Sequence, residues 1–235
     1  MKTGKIWRKL TLTLVLALSL LSAGCATDPY ADPRDPFEEY NRASDSFNQM
    51  MDRMLFTPLA SGYNYIMPAP VNRGVTNFFN NLGDVRSALN NLLQLKVGRA
   101  FSDVGRVAVN STLGILGLMD VASNMNLPRY NEDFGQTLGV WGVGSGPYIV
   151  MPFFGPSSVR DGVGIVVDFF ADPIFYLDKR STRWSLWGLQ LIDTRADLLN
   201  ASRIVDQAAL DPYSFIRDAY LQRREGLVHD GNPPE

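Results

Sequence analysis

The sequence predicts an all-α fold, a single domain built from many short helices. Apolar residues recur at helical spacing in several separate stretches, and neither a run of alternating strands nor a repeat of fixed period is seen. The 235 residues are 46% hydrophobic and 20% charged, which is enough apolar material for a folded core. We therefore expect one folded domain behind an N-terminal export segment.

The N-terminal 24 residues have the pattern of a secretory signal peptide. Four cations come first, an apolar run over residues 10–21 follows, and Ser22-Ala23-Gly24 supplies small residues at the end. The apolar run is shorter than the roughly 20 residues that a transmembrane helix needs. The sequence therefore predicts that residues 1–24 are removed on export.

Cys25 follows these small residues directly and is the only cysteine of the chain, so an intramolecular disulfide is excluded. The segment 21–25 resembles the bacterial lipobox, although Ser22 stands where leucine is commonest. We predict that Cys25 carries covalent N-terminal acyl chains, which anchor the protein in a membrane. The alternative is an incidental cysteine in a leader cut elsewhere. Ala26 after the cysteine, by resemblance to the enterobacterial sorting rule, predicts the outer membrane.

Residues 25–36 are expected to form a lipidated tether, because three Asp-Pro pairs within 26–36 disfavour helix. The helical domain is predicted over residues 37–225, and the polar residues 226–235 are predicted to be a flexible tail. Removing the four leader cations leaves 18 basic residues against 24 acidic ones. This acidic balance argues against nucleic-acid binding.

Several helices are predicted within the domain, separated by breaks at glycine and proline. The first, residues 37–56, has apolar residues on one side and charged ones on the other, which fits either a membrane-surface helix or one packed on its own core. A break is predicted over residues 57–70. The further predicted helices are 71–79 and 85–95, divided near Gly83, then 100–113, 157–170, 181–200 and 211–224.

The segment 134–156 differs from the rest of the chain. It contains six glycines, three prolines and several aromatic residues, a composition that fits neither a polar loop nor a stable helix.

A search for enzyme chemistry finds little to build on. The only histidine, His229, lies in the predicted tail, and no nucleophile elbow surrounds Ser145. Histidine–cysteine metal ligation is excluded by composition, so no metal site is predicted. The adjacent acids Glu38/Glu39 and Glu132/Asp133 are more typical of helix caps and solvated faces than of catalytic pairs. We predict that the protein is not an enzyme.

Several phrases resemble the MlaA (VacJ) family of outer-membrane lipoproteins. They span about residues 30–225 in order, and the longest covers residues 132–156. The phrases are Asp35-Pro36-Phe37-Glu38-Glu39-Tyr40-Asn41-Arg42, Val75-Thr76-Asn77-Phe78-Phe79-Asn80-Asn81-Leu82, Glu132-Asp133-Phe134-Gly135-Gln136-Thr137-Leu138-Gly139, Trp141-Gly142-Val143-Gly144-Ser145-Gly146-Pro147-Tyr148 and Asp211-Pro212-Tyr213.

This resemblance implies a ring of helices embedded in the periplasmic leaflet of the outer membrane, with an amphipathic central channel. It implies phospholipid as cargo and a trimeric porin as partner. It also implies a periplasmic lipid-binding protein that feeds an inner-membrane ABC transporter complex. The implied function is retrograde removal of phospholipids misplaced in the outer leaflet, with no cofactor beyond the acyl chains on Cys25.

Two groups of residues become site candidates under this resemblance. Channel or hinge residues are expected in the glycine-aromatic segment, and lipid- or channel-facing residues on the first helix. A tightly packed core loop is the alternative for the segment. The candidates are Gly142, Gly144, Gly146, Pro147, Tyr148, Phe153 and Phe154, and on the first helix Asn41, Phe47 and Asn48.

Two other functions remain open from the sequence. A lipoprotein that only scaffolds porins would need no lipid passage, and a lipid-degrading enzyme would need a site of unfamiliar form.

Overall fold

The computed structural model describes residues 32–233, so Cys25 and the predicted signal peptide lie outside the described residues. Within the described residues the chain divides into a short first unit, residues 32–36, and a second unit, residues 37–233. In the first unit the Arg34 guanidinium pairs with the Asp32 carboxylate at 2.7 Å. The second unit contains the helices and strands described below.

The second unit consists of helices joined by short connections, with one two-stranded hairpin. The elements in chain order are α1 (Glu38–Met51), a π-helical turn (Asp52–Phe56), α2 (Thr57–Ile66), α3 (Ala69–Leu93), α4 (Val97–Thr112), α5 (Val121–Asn124), α6 (Phe134–Val140), β1 (Tyr148–Met151), β2 (Gly155–Ser158), α7 (Val159–Ala171), a 3-10 turn (Pro173–Tyr176), α8 (Arg180–Ala208) and α9 (Pro212–Val228). The mostly helical fold class predicted from the sequence is confirmed.

Side-chain caps fix the starts of several helices. Asp133 accepts from the Gln136 backbone N–H before α6, and Ser158 accepts from the Asp161 N–H before α7. Asp211 caps α9, and the following proline occupies the first turn, where its missing N–H is not needed. These caps explain why the predicted starts of α7 and α9 lie within two residues of the observed ones.

The predicted break over residues 57–70 is wrong for its first ten residues. The chain stays helical from Glu38 to Ile66, and the π-helical turn lies just before Pro58. The Thr57 N–H bonds the Asp52 carbonyl in the wider π pattern, so the hydrogen-bond register changes where proline would interrupt an α-helix. The break occurs only at Met67–Pro68.

The predicted division near Gly83 is also wrong, because α3 is one helix of 25 residues. The Arg129 side chain passes over Gly83, donating to the Asp84 carboxylate at 2.6 Å and to the Asn80 carbonyl at 3.2 Å. A Cβ on Gly83 would stand 3.5 Å from the Arg129 Nη2. This is an ordinary van der Waals distance, so the crossing side chain does not require glycine here, and Gly83 does not end the helix.

The C-terminal helix continues beyond the predicted domain boundary at residue 225. It ends at Val228, whose side chain is buried. Beyond it, the Asp230 carboxylate accepts from Lys96 Nζ at 2.6 Å and pairs with Arg99 as well. At least residues 226–230 are thus attached to the rest of the unit.

Buried and exposed side chains are distributed unlike those of a water-soluble domain. Polar and charged residues outnumber apolar ones among the buried residues that the structure describes, and Arg106 is the largest fully buried side chain. Large apolar residues are exposed instead, including Phe101 at 73% and Leu116 at 73%. Scattered exposed apolar residues are ordinary, but whole helix faces of them are not.

The helices of residues 32–233 are each too short or too polar to cross a membrane.

Helices α6 and α7 cross closely because glycines face each other at the crossing. A Cβ on Gly164 of α7 would stand 2.5 Å from the Gly135 backbone nitrogen of α6. Real Cβ atoms do not approach so closely, so the crossing requires glycine here.

Gly164→Ala is expected to lower the free energy of unfolding by about 1–3 kcal/mol through overpacking at this crossing. Gly188→Ala in α8 is the matched control, because its Cβ would meet nothing within 4 Å. There the helix propensity of alanine should raise stability by about 0.5–1 kcal/mol. Unfolding in detergent, followed by tryptophan fluorescence, measures both, and equal effects would contradict the close crossing.

Candidate functional site

The predicted channel or hinge glycines lie in an open turn between α6 and β1. Gly142 and Gly146 have φ values of +88° and +68°, a backbone conformation that favours glycine. A Cβ on Gly142 or Gly144 would meet nothing within 4 Å, whereas one on Gly146 would lie 3.3 Å from Val159. The turn is therefore loosely packed along most of its length.

Beyond the turn, β1 and β2 form an antiparallel hairpin with Tyr148 opposite Ser158 and Met151 opposite Gly155. The tip between the strands exposes two aromatic rings, Phe153 at 60% and Phe154 at 71%. These two predicted site residues thus offer apolar surface, as the sequence suggested. The Pro147 carbonyl, at the other end, accepts from the Val159 N–H at 3.1 Å.

Tyr148 does not form an open surface, and its prediction as a channel-lining residue is wrong in this structure. Its side chain is 1% exposed and packs on the rings of Tyr213 and Tyr220, with centroids 6.3 and 6.0 Å away. Together with Val150 and Tyr213 it forms a small apolar core at the base of the hairpin. Alternation along β1 turns this residue inward.

The three predicted residues of the first helix all contact the hairpin. The Asn41 and Asn48 side-chain amides hydrogen-bond to backbone groups of β1 and the tip. Phe47 lies edge-on to Phe153 with ring centroids 5.2 Å apart. The prediction that Asn41 faces lipid or channel is therefore wrong: this residue is fully buried. Asn48 is half-buried, and its amide is occupied by the hairpin.

A buried charged cluster underlies the hairpin and joins α6, α7 and α9. The Arg224 guanidinium donates to both Asp133 oxygens, at 2.6 and 2.8 Å, and to Asp161 at 2.9 Å. The Tyr220 hydroxyl donates to the second Asp161 oxygen at 2.6 Å. We call these four residues the Arg224 cluster.

The Arg224 cluster holds its two acids ionised. Burial alone would raise the pKa of Asp133, but the hydrogen bonds and charge of Arg224 outweigh it and lower the pKa to about 2. The pKa of Asp161 is lowered for the same reasons, with Tyr220 contributing a hydrogen bond. Asp133 is thus a helix cap and an ion-pair partner, and it is not half of a catalytic pair with Glu132.

The cluster also reaches the open turn through Arg160, the neighbour of Asp161. The Arg160 side chain pairs with Asp161 at 3.1 Å, and its backbone N–H donates to the Ser145 carbonyl at 3.2 Å. Sequence reasoning missed this cluster, because its members are spread over 90 residues. The available signal is that Lys96 and Lys179 are the only lysines after residue 24, so nearly all cations of this part are arginines, which suit bidentate pairing. Arg224 pairs with Asp133 in this way.

A further exposed feature is a group of aromatic rings in contact that joins the end of α7 to the start of α8. Phe169 contacts Phe175 and Trp187 with centroids 5.0 and 4.9 Å apart, and Trp184 lies edge-on to Trp187 with centroids 5.3 Å apart. Trp184 is 65% exposed. Exposed tryptophan and tyrosine side chains of this kind are typical of membrane–water interfaces.

Among residues 32–233 the structure brings together no group of His, Cys, Asp and Glu that could hold a metal ion.

The protein-family model described as MlaA lipoprotein matches residues 33–226, which include α1, the hairpin and the Arg224 cluster. The chain belongs to the MlaA lipoprotein family. The family predicted from the sequence phrases is thereby confirmed.

Two similar MlaA proteins carry the name intermembrane phospholipid transport system lipoprotein. The one from Haemophilus influenzae is 34% identical over 232 residues, covering 93% of this chain and 92% of the relative. The one from Escherichia coli K12 is 33% identical over 233 residues, covering 95% and 90%.

The fold also matches a solved structure from work on the structural basis for maintenance of bacterial outer membrane lipid asymmetry. The TM-score is 0.73 at 33% sequence identity, with 83% of this chain and 98% of the other covered. The arrangement of helices around the hairpin is therefore that of an MlaA-like fold.

Arg224→Met is expected to reduce the free energy of unfolding at pH 7 by about 3–5 kcal/mol, because it leaves Asp133 without its cation and Asp161 with Arg160 alone. In the parent, the Asp133 contribution is present above pH about 4 and is lost as the pH falls towards about 2. In the variant, burial raises the pKa of Asp133, so the loss of stability relative to the parent becomes smaller as the pH falls from 7 towards 5.

The control for this experiment is Arg223→Met, which alters an exposed arginine on the same helix. Its effect should stay within about 0.5 kcal/mol at every pH. Denaturant unfolding in detergent at several pH values measures the difference. A deficit that is independent of pH would contradict the assigned role of the cluster.

Proposed function

We propose that this chain is an outer-membrane lipoprotein that forms a phospholipid channel. In this proposal it removes phospholipids misplaced in the outer leaflet and passes them inward, which maintains the lipid asymmetry of the membrane. The observation that carries the proposal is the reversed polarity of the folded unit, with polar groups buried and apolar faces exposed.

The exposed apolar faces support a position within the lipid. Transfer of apolar surface out of water contributes about 25 cal/mol per Å², so a domain exposing whole apolar faces to water forgoes much of its stability. Helix α4 illustrates the point, since Phe101 and Val104 are exposed while Asp103 and Arg106 are buried. In an acyl-chain environment this orientation is favourable. In the proposal the unit lies in the periplasmic leaflet of the outer membrane, where the acyl chains proposed for Cys25 would also lie.

The proposed anchor agrees with this position. Acyl chains on Cys25 would fix the N-terminus in the inner leaflet of the outer membrane, and the exposed faces would embed the body beside it. Family membership supports this arrangement. In the proposal the lipid sets the leaflet and the orientation, and the protein surface supplies the rest of the attachment.

The cargo and the partners are proposed from family membership and from the names of the relatives. A phospholipid carries a charged headgroup, which is costly to drag through hydrocarbon, so a ring with a polar passage lowers the barrier without covalent chemistry. The proposed partners are a trimeric porin and a periplasmic lipid-binding protein that serves an inner-membrane ABC transporter complex. Relatives named as parts of an intermembrane phospholipid transport system support this assignment.

Deletion of the gene is expected to raise outer-leaflet phospholipid and sensitivity to detergent, and expression of the parent chain should return both to normal.

The double variant Gly142→Ala/Gly146→Ala should return them to normal only in part, because alanine at positive φ costs about 1–2 kcal/mol per residue. Gly144→Ala is the matched control, since Gly144 lies in the same turn without a positive φ.

Two quantities are measured. The first is outer-leaflet phospholipid, from its accessibility to an added phospholipase, and the second is copurification of the protein with porin. Normal asymmetry in the deletion strain would refute the transport function. Full restoration by the double variant with porin binding intact would favour a porin scaffold instead.

Lipid embedding is tested directly by fluorescence. A variant retaining only Trp184 of the mature chain's three tryptophans, made by Trp141→Phe and Trp187→Phe, should be strongly quenched in vesicles of brominated phospholipid. It should be weakly quenched by aqueous iodide, because the proposal places this exposed ring among lipids. The reverse order of quenching would contradict embedding of this surface.

A further inference from the structure

Two asparagines of α1 hydrogen-bond to the hairpin backbone, Asn41 at the outer edge of β1 and Asn48 at the turn of the tip. The Asn41 amide nitrogen donates to the Tyr148 carbonyl at 3.1 Å, and its oxygen accepts from the Val150 N–H at 2.7 Å. The Asn48 amide repeats the pattern at the tip, donating to the Met151 carbonyl at 3.0 Å and accepting from Phe153 at 2.7 Å.

Asn41 binds a carbonyl and an N–H that lie two residues apart on the edge of β1 facing away from β2, which is the pair of groups that a neighbouring strand would engage. Asn48 binds the turn beyond β1 instead: the Met151 carbonyl, which also accepts from the Phe154 N–H at 3.2 Å, and the Phe153 N–H. An exposed edge of this kind would otherwise be an unpaired row of polar groups. The contact depends on main-chain atoms of the hairpin, and therefore on its position, with little dependence on its side chains.

The spacing of the two asparagines matches the spacing of the two sites that they bind on the hairpin. Asn41 and Asn48 are seven residues apart, which is about 10.5 Å along an α-helix and nearly two full turns on one face. Tyr148 and Met151 are three residues apart, which is about 10 Å along a strand. The helix therefore holds the hairpin at two points in one register.

A third contact links the same helix to the exposed tip. Phe47, adjacent to Asn48, packs edge-on against Phe153, whose backbone has a φ of +67°. The Asn48 amide accepts from the N–H of this same residue. The conformation of the tip is thus supported from α1 by an amide and by a ring.

We propose that Asn41 and Asn48 are positioning residues that act as an amide clamp, holding the hairpin tip on the first helix and setting its place in the lipid passage. This inference rests on the proposed function for its link to transport. The clamp ties the hairpin to the helix that follows the proposed lipid-anchored tether, so displacement of α1 is transmitted to the tip.

The clamp is tested by spin-label mobility at the tip of the purified full-length lipoprotein in detergent. The label is placed on Phe154→Cys, and a second reporter on Leu191→Cys of α8 detects general loosening. Asn48→Ala should raise the mobile population at position 154 about ten-fold, as expected for the loss of two hydrogen bonds, and leave position 191 unchanged.

Asn41→Ala removes the two more deeply buried hydrogen bonds and should also raise the mobile population at position 154. Asn200→Ala is the matched control, an exposed asparagine on a helix remote from the hairpin in sequence. If Asn41→Ala does not fold, Asn48→Ala still decides the question, because its side chain is only half-buried. Unchanged mobility at position 154 in Asn48→Ala, or an equal rise at both reporters, would overturn the clamp.

The link to transport is measured separately, with Asn48→Ala in an otherwise unlabelled chain expressed in the deletion strain. We expect outer-leaflet phospholipid to stay elevated, whereas Asn200→Ala restores the parent level. If Asn48→Ala raises mobility at position 154 while outer-leaflet phospholipid returns to the parent level, the clamp has no role in transport. If Asn48→Ala raises mobility at position 154 but deletion of the gene does not change outer-leaflet phospholipid, the proposed function is refuted and the structural role of the clamp is still supported.

Discussion

The fold depends on buried ion pairs between arginine and aspartate. Arg106 donates to Asp84 at 3.1 Å and to both oxygens of Asp120, which ties α4 to α3 and to the cap of α5. The proposed function places these helices among acyl chains, where the hydrophobic effect would not drive them together, so polar contacts and close packing would have to do so. The same low-dielectric interior makes an unpaired charge costly, and this penalty favours a single arrangement of the helices.

Arginine suits this interior better than lysine does. A guanidinium presents donors in a planar fork, so Arg195 binds both oxygens of Asp52 and also the Thr57 hydroxyl beside the π-helical turn. That pair fixes the point where the register of the long first helical segment changes. The Arg224 cluster fixes the crossing of α6 and α7 in the same manner. Arginine pairs therefore stand at positions where the backbone departs from regular packing.

Sequence periodicity identified the helices better than it identified their inner faces. In α4 the helical spacing groups Val104, Val107, Ala108 and Leu113 on one side, yet the buried positions are Ala100, Asp103, Arg106 and Asn110. In α8 the predicted apolar face contains Trp184, Trp187, Leu191 and Leu198, of which only Trp187 is half-buried and the other three are exposed. A hydrophobic stripe indicates only which face avoids water, and in the proposed lipid environment that face would point outward. The amide contacts of Asn41 and Asn48 were beyond prediction, because they join segments more than 100 residues apart.

The contacts that hold the hairpin weaken from its base to its tip. At its base, Tyr148 packs on Tyr220, whose hydroxyl is bound by an ionised member of the Arg224 cluster. Along its edge it is held by neutral amides, which contribute about half as much as hydrogen bonds to charged groups. At the tip, Phe153 and Phe154 are largely exposed. Resistance to displacement therefore falls from base to tip, and a force that moves α1 bends the hairpin before it separates α6, α7 and α9.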